Sequence, residues 1–193
     1  MTLNLKVYLQ GYYIGGGAMS SVIFNQGVFG ATGGETDTII VELHDENTFA
    51  LADQSTALLM TDGTCTATFN SATDGNYYIA VRHRNSIQTW SAAPVAFSTS
   101  SPASFDFSTD PNNSMSALAA SDFLDGVYSI FSGDLNQDDY VDPNDYPYFD
   151  IDNSAGACCS YLFTDLNGDG YVDPNDYPYF DINNSAGVFS VHP

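Results

Sequence analysis

The chain has 193 residues, 44% of them hydrophobic, with 24 acidic residues, three basic ones and a formal net charge of -21 at pH 7. That apolar share is enough to build a packed core, which excludes a disordered chain. The acidity excludes nucleic-acid binding through phosphate contacts, which this chain would repel, and favours cations instead.

The opening residues alternate. Leu3, Leu5, Val7 and Leu9 are separated by Asn4, Lys6 and Tyr8, which predicts a half-buried strand. Gly15-Gly16-Gly17 follows and reads as a hinge. If the strand folds back, it is the first strand of a sandwich. If the hinge extends, residues 2–13 can complete the sheet of another copy by strand addition, and such a head-to-tail contact propagates as a filament. Further strands are expected over residues 20–24, 37–43, 57–61, 64–69, 77–83, 87–90, 94–98 and 104–108, separated by Gly, Asn, Asp and Ser. Asp62-Gly63 and Asp74-Gly75 mark turns between them. Many short strands with such punctuation predict an antiparallel sandwich.

Other features along this half have plain explanations. Arg82 and Arg84 should face one way from their strand and His83 the other, pairing with carboxylates. His44-Asp45-Glu46 lies at a strand end and reads as a surface turn. Cys65, Cys158 and Cys159 leave one thiol over if Cys65 bridges to either neighbour of the pair; three reduced thiols are the other reading. No stretch is long enough to span a membrane. Met1-Thr2-Leu3-Asn4-Leu5-Lys6-Val7 lacks the pattern of a secretory signal, so secretion would make this a mature form or a piece of a longer chain. Residues 99–127 are rich in Ser, Ala, Asp and Asn, and 109–132 is expected to be an irregular connection.

From Gly133 onward the chain repeats itself at an offset of 31: residues 141–151 recur letter for letter as 172–182, and 153–156 recur as 184–187. Two supersecondary units of one kind are implied. Each opens with an acidic loop carrying oxygen side chains at positions 1, 3, 5, 9 and 12, the pattern of an EF-hand calcium loop with Asp at the last position. In the first loop Asp134, Asn136, Asp138, Asp142 and Asp145 would supply side-chain oxygens and Tyr140 its backbone carbonyl. In the second, Asp165, Asn167, Asp169, Asp173 and Asp176 would do the same, with the Tyr171 carbonyl. Two calcium ions are therefore expected. Position 6 needs a left-handed backbone; Gly170 supplies it freely and Asp139 at some cost, which predicts a weaker or more distorted first site. Val141 and Val172 should point inward and pack the loops on each other. Pro143-Asn144-Asp145-Tyr146-Pro147-Tyr148-Phe149-Asp150-Ile151 and its copy should form short helices, with Tyr146, Tyr148, Tyr177 and Tyr179 packing the units.

Three resemblances add to this reading. Residues 61–81, with their Asp-Gly turns, resemble the hairpin of prealbumin-like and carboxypeptidase-regulatory-like sandwiches, which implies a seven-strand Ig-like fold. Residues 133–193 resemble the duplicated loops of type I dockerins, which implies two calcium ions and a compact module. Dockerins meet cohesins through their helices, but the matching segments here hold no Lys or Arg, which points to a module fixed against its own sandwich or a neighbouring subunit. Leu3 to Tyr13, Val41 to Asp45, Tyr77 to Asn85 and Ile87 to Trp90 look like modules near the C-termini of large secreted or surface proteins of the Bacteroidetes group, which also end in two dockerin-type repeats.

The expected fold is thus mainly β: an Ig-like antiparallel sandwich over 1–108, a connection over 109–132, and a dockerin-like module with two calcium loops and short helices over 133–193. The expected protein is extracellular or on a cell surface and not an enzyme, since no catalytic set can be named. It is calcium-stabilised and a subunit of a self-assembling fibre through residues 2–13. An anchoring or adhesion module that binds proteins or glycans is the alternative.

Overall fold

A computed structural model describes all residues, 1–193. In chain order the strands and helices are β1 (Thr2–Lys6), β2 (Tyr13–Gly15), β3 (Ala18–Met19), α1 (Val22–Asn25), β4 (Glu35–Asp45), β5 (Leu51–Met60), β6 (Thr64–Thr68), β7 (Gly75–His83), β8 (Ser86–Trp90), β9 (Val95–Phe97), β10 (Ala103–Asp106), β11 (Ala119–Ala120), β12 (Tyr128–Ser129), α2 (Tyr146–Ala155) and α3 (Tyr177–Ala186). The architecture is a mainly-β sandwich with a few short helices. One sheet has the order β10-β1-β6; the other runs β5-β4-β7-β8, with β9 also on β7.

Period-two burial builds both layers. Leu3 and Leu5 of β1, Ile39, Val41 and Leu43 of β4, and Tyr77, Ile79 and Val81 of β7 lie in one apolar core. That core continues without a break into Leu135, Val141, Phe149, Leu166, Val172 and Phe180 of the C-terminal repeats. The Asp62-Gly63 turn forms between β5 and β6, where Asp62 Oδ1 accepts from the Thr64 amide at 3.0 Å. Gly63 takes φ +81° and lies against the Tyr8 ring, so a side chain there would be strained and crowded at once.

Several expectations change. Residues 20–24 are not a strand: Val22 and Ile23 are both buried, which alternation forbids, and the Asn25 and Gln26 amides donate back to Ser21 and Val22, making the turn of α1. The first strand is not free for donation. β1 already has a partner on each side, antiparallel β6 and parallel β10, and Leu3 and Leu5 are buried between the sheets. Gly15, Gly16 and Gly17 all have positive φ and close the tight β2–β3 turn instead of acting as a hinge. Residues 109–132 are not irregular throughout. β11 pairs with β12, and the Ile130 amide donates to Tyr8 O at 2.8 Å while Gln10 donates to Ile130 O at 2.9 Å. Cys158 and Cys159 are joined to each other, and Cys65 stands alone, buried in β6. No helix is long and apolar enough to cross a membrane.

Arg82 and Arg84 do pair with carboxylates. Arg82 Nε donates to Glu42 at 3.1 Å, and Arg84 Nε donates to Asp37 at 2.9 Å. Burial pushes the Asp37 carboxyl up, but hydrogen bonds from His83 and Tyr161 and the Arg84 charge outweigh it and hold it well below the usual range. His83 is fully enclosed, 3.2 Å from Asp37, and burial holds its pKa down despite that contact.

Candidate metal centres

Each acidic loop leads directly into a helix, loop one (134–145) into α2 and loop two (165–176) into α3. The chain reverses sharply at position 6, where Asp139 takes φ +73° and Gly170 φ +96°, and position 4 is left-handed too, at Gln137 and Gly168. A non-glycine residue bears that conformation twice in loop one and never in loop two.

The carboxylates at positions 1 and 12 are turned inward. Asp134, Asp145, Asp165 and Asp176 are all buried. Asp134 accepts from the backbone amides of Asp138 at 3.1 Å and Asp139 at 3.2 Å. Asp145 folds back to accept from Leu135 at 2.7 Å, Asn136 at 3.0 Å and Asp142 at 2.9 Å. Asp165 accepts from Gly168 at 2.7 Å and Gly170 at 2.9 Å, and Asp176 from Asn167 and Asp173, both at 2.9 Å. These bonds fix the rotamers and close each loop into a ring. Asn136 and Asn167 each donate to the position-5 carboxylate, Asp138 at 2.9 Å and Asp169 at 3.3 Å. Asp142 and Asp173 at position 9 each cap the turn that follows, accepting from Asn144 and Asn175 at 2.7 Å. The Tyr140 and Tyr171 amides at position 7 donate to the position-5 carboxylates Asp138 and Asp169 at 3.1 and 2.9 Å.

What the loops lack is a cationic side chain. None of the four buried carboxylates forms a salt bridge. Burial, then the charge of Asp145, pushes the Asp134 carboxyl up to about 7; burial does the same to Asp176, up to about 7, and raises Asp145 and Asp165 as well. Buried carboxylates without a counter-charge are costly, and a bound cation is the group that would relieve them. No three carboxylate, imidazole or thiol side chains converge closely enough to hold an ion by themselves. The expected set of each loop holds four carboxylates, at positions 1, 5, 9 and 12, so an ion would have to draw them together, with an amide oxygen, a backbone carbonyl and water completing its shell. The donor set is all oxygen, which suits a hard cation.

Val141 and Val172 are buried, as expected, but are not bonded to each other. The Val141 amide donates to Val188 O at 2.9 Å, beyond α3, and the Val172 amide to Ala157 O at 2.8 Å, beyond α2. Each loop is therefore bridged to the arm following the other unit's helix. Tyr146 and Tyr177 meet edge to face at 6.0 Å between the two helices. Two equivalent arm positions clasp the same sandwich sheet: Tyr161 stacks under the Arg84 guanidinium at 4.0 Å, and His192, 31 residues on, stacks on Trp90 at 5.9 Å.

Sequence reasoning missed the seat of loop two. Tyr12 donates to Asp165 O at 3.3 Å, Asn25 donates to Gly168 O at 2.8 Å, Gln26 donates to Asp165 Oδ2 at 2.7 Å, and Arg84 donates to Leu162 O. These partners are far away in sequence. The one signal was the pair Gly168 and Gly170, where loop one has Gln137 and Asp139: small residues mark close approach.

The fold and the loops together define a class: a two-sheet β-sandwich carrying tandem acidic loop–helix units on one continuous core. No family model and no curated protein matches the sequence. Solved structures match the fold. The chain is similar to one from a C-terminal interface mutant of a type II cohesin–X-dockerin complex from Acetivibrio cellulolyticus, with a TM-score of 0.52 at 15% identity, over 96% of this chain and 99% of that one. It is likewise similar to one from an N-terminal interface mutant of the same kind of complex and organism, with a TM-score of 0.54 at 12% identity and the same coverage. At these identities the likeness is one of fold.

Proposed function

We propose that this chain is a non-enzymatic, calcium-stabilised protein-binding module of a larger extracellular or cell-surface assembly, with a dockerin-like unit over 133–193 seated on its sandwich. The observation that carries the reading is the four buried carboxylates, Asp134, Asp145, Asp165 and Asp176, held by backbone amides and facing no cation of the protein. Calcium in each loop turns binding free energy into folding free energy and stiffens the helices that follow. The likeness to chains of cohesin–dockerin complexes supports a partner that is a protein. α2 and α3 present Tyr148, Ile151 and Ile182 to solvent, an apolar pair of repeated faces suited to a protein surface.

Calorimetric titration with calcium should show two ions per chain, and a chelator should lower the melting temperature by many degrees. Absence of uptake, together with melting indifferent to chelator, would refute the reading. Self-assembly through residues 2–13 is the weaker alternative, because β1 would have to leave both β6 and β10. Negative-stain images of single particles with calcium are expected; fibres that vanish on deleting residues 1–13 would restore it.

A further inference from the structure

The two loops are near-copies in sequence but sit in different surroundings. In loop one Gln137 and Asp138 are exposed and Asp139 is half-buried. In loop two the equivalent turn is pressed onto the sandwich. A Cβ on Gly168 would stand 2.4 Å from the Val22 side chain, and one on Gly170 would stand 2.6 Å from the Asn25 carbonyl oxygen. One sandwich side chain reaches from this seat to a carboxylate of the loop. Gln26 is 1% exposed, and its Nε2 donates to Asp165 Oδ2 at 2.7 Å and to Leu162 O at 3.2 Å. Its Oε1 accepts from Arg84 Nη2 at 3.0 Å, and Arg84 Nε is held by Asp37 at 2.9 Å. The guanidinium fixes which way the amide points: the oxygen must face Arg84, so the nitrogen must face Asp165. Asp134, the equivalent residue of loop one, accepts only from the amides of its own loop.

We propose that Gln26 is a positioning residue for the ion site of loop two, holding Asp165 in its binding rotamer before the ion arrives. Loop two therefore fills first and more tightly, and loop one follows. This rests on the calcium reading above. The donor is neutral, so it orders the carboxylate without cancelling the charge that attracts the ion; a lysine in its place would compete with the cation. Preorganisation removes the ordering cost from the binding step, and groups that orient a metal ligand typically change metal affinity by about tenfold or more.

The test is calcium calorimetry on the full chain. The unaltered protein should show a tighter and a weaker site. Asp165→Asn should abolish the tighter one and Asp134→Asn the weaker. Gln26→Leu should weaken the tighter site by about tenfold and leave the other within about twofold of its original affinity, as expected for independent sites. Gln26→Asn, one methylene shorter and unable to reach Asp165, should do the same and serves if the leucine variant fails to fold. Melting in excess chelator separates positioning from bulk stability: a merely structural role would lower it and leave both affinities alone. Unchanged affinity at the tighter site in both variants, or equal weakening at both sites, would overturn the proposal while leaving two calcium ions in place. No uptake by the unaltered chain would overturn the calcium reading itself.

Discussion

Gly11 gives the sharpest test of how the repeats sit on the sandwich. It lies in a single turn of 3-10 helix after β1, and a Cβ there would stand 1.9 Å from the Leu166 carbonyl oxygen and 3.0 Å from its carbon. Both atoms are backbone, so no side chain can swing aside. Either loop two or the Leu9–Tyr13 turn must retreat by more than an ångström to reach ordinary contact distance. The turn is pinned by the Gly11 amide donating to Ser132 Oγ at 3.1 Å, and the loop by the seat of Gln26, Asn25 and Tyr12. Overpacking of this kind costs about 3 kcal/mol. For a chain of this length that corresponds to a fall of about 6–12 °C in melting temperature. Scanning calorimetry of Gly11→Ala with saturating calcium would measure it. Gly33→Ala, with open space around its Cβ and no positive φ, is the control and should melt like the parent. A Gly11→Ala protein melting within a degree of the parent would refute the close seat of loop two.

Three further outcomes follow from other contacts. Asp37 has a folded pKa below its unfolded one, so its contribution to stability is complete above the unfolded value of about 3.9 and is lost as pH falls through the folded value. Denaturant titrations at falling pH should therefore show a loss below pH of about 4 that Asp37→Asn reduces; identical slopes would contradict the Arg84 pairing. Trp90 is the only tryptophan and lies under His192, whose arm is tied to loop one by Ser190 donating to Asp139 O at 2.8 Å. His192→Ala should change Trp90 emission, and chelator should change it in the parent more than in the variant; emission blind to both would remove the clasp. Burial pushes the Cys65 thiol up to about 12, so alkylating reagents should label no cysteine in the native protein and one after denaturation, as read by mass spectrometry.

The alternation in residues 3–6, the Asp62-Gly63 turn and the strands around β4, β6, β7 and β8 were readable locally, because a half-buried strand writes period two into its own residues. The closed shape of each acidic loop was readable for the same kind of reason: the hydrogen bonds that close it run between residues within twelve consecutive positions. The left-handed turn at Asp139 also followed from position alone. What the sequence could not decide was partnership over long range. Whether β1 pairs within the chain depends on β6 and β10, some 60 and 100 residues away. The apolar pair Val22–Ile23 suited a strand until loop two arrived to cover it as a helical turn. The difference between two nearly identical loops is likewise tertiary: Gln26, Arg84 and Gly11 acquire their roles only when residues far apart in the chain, 139 positions for Gln26 and 78 for Arg84, are brought together by a shared apolar core. Local chemistry is encoded in adjacent residues, whereas the choice of neighbour is a global free-energy minimum that no single window contains.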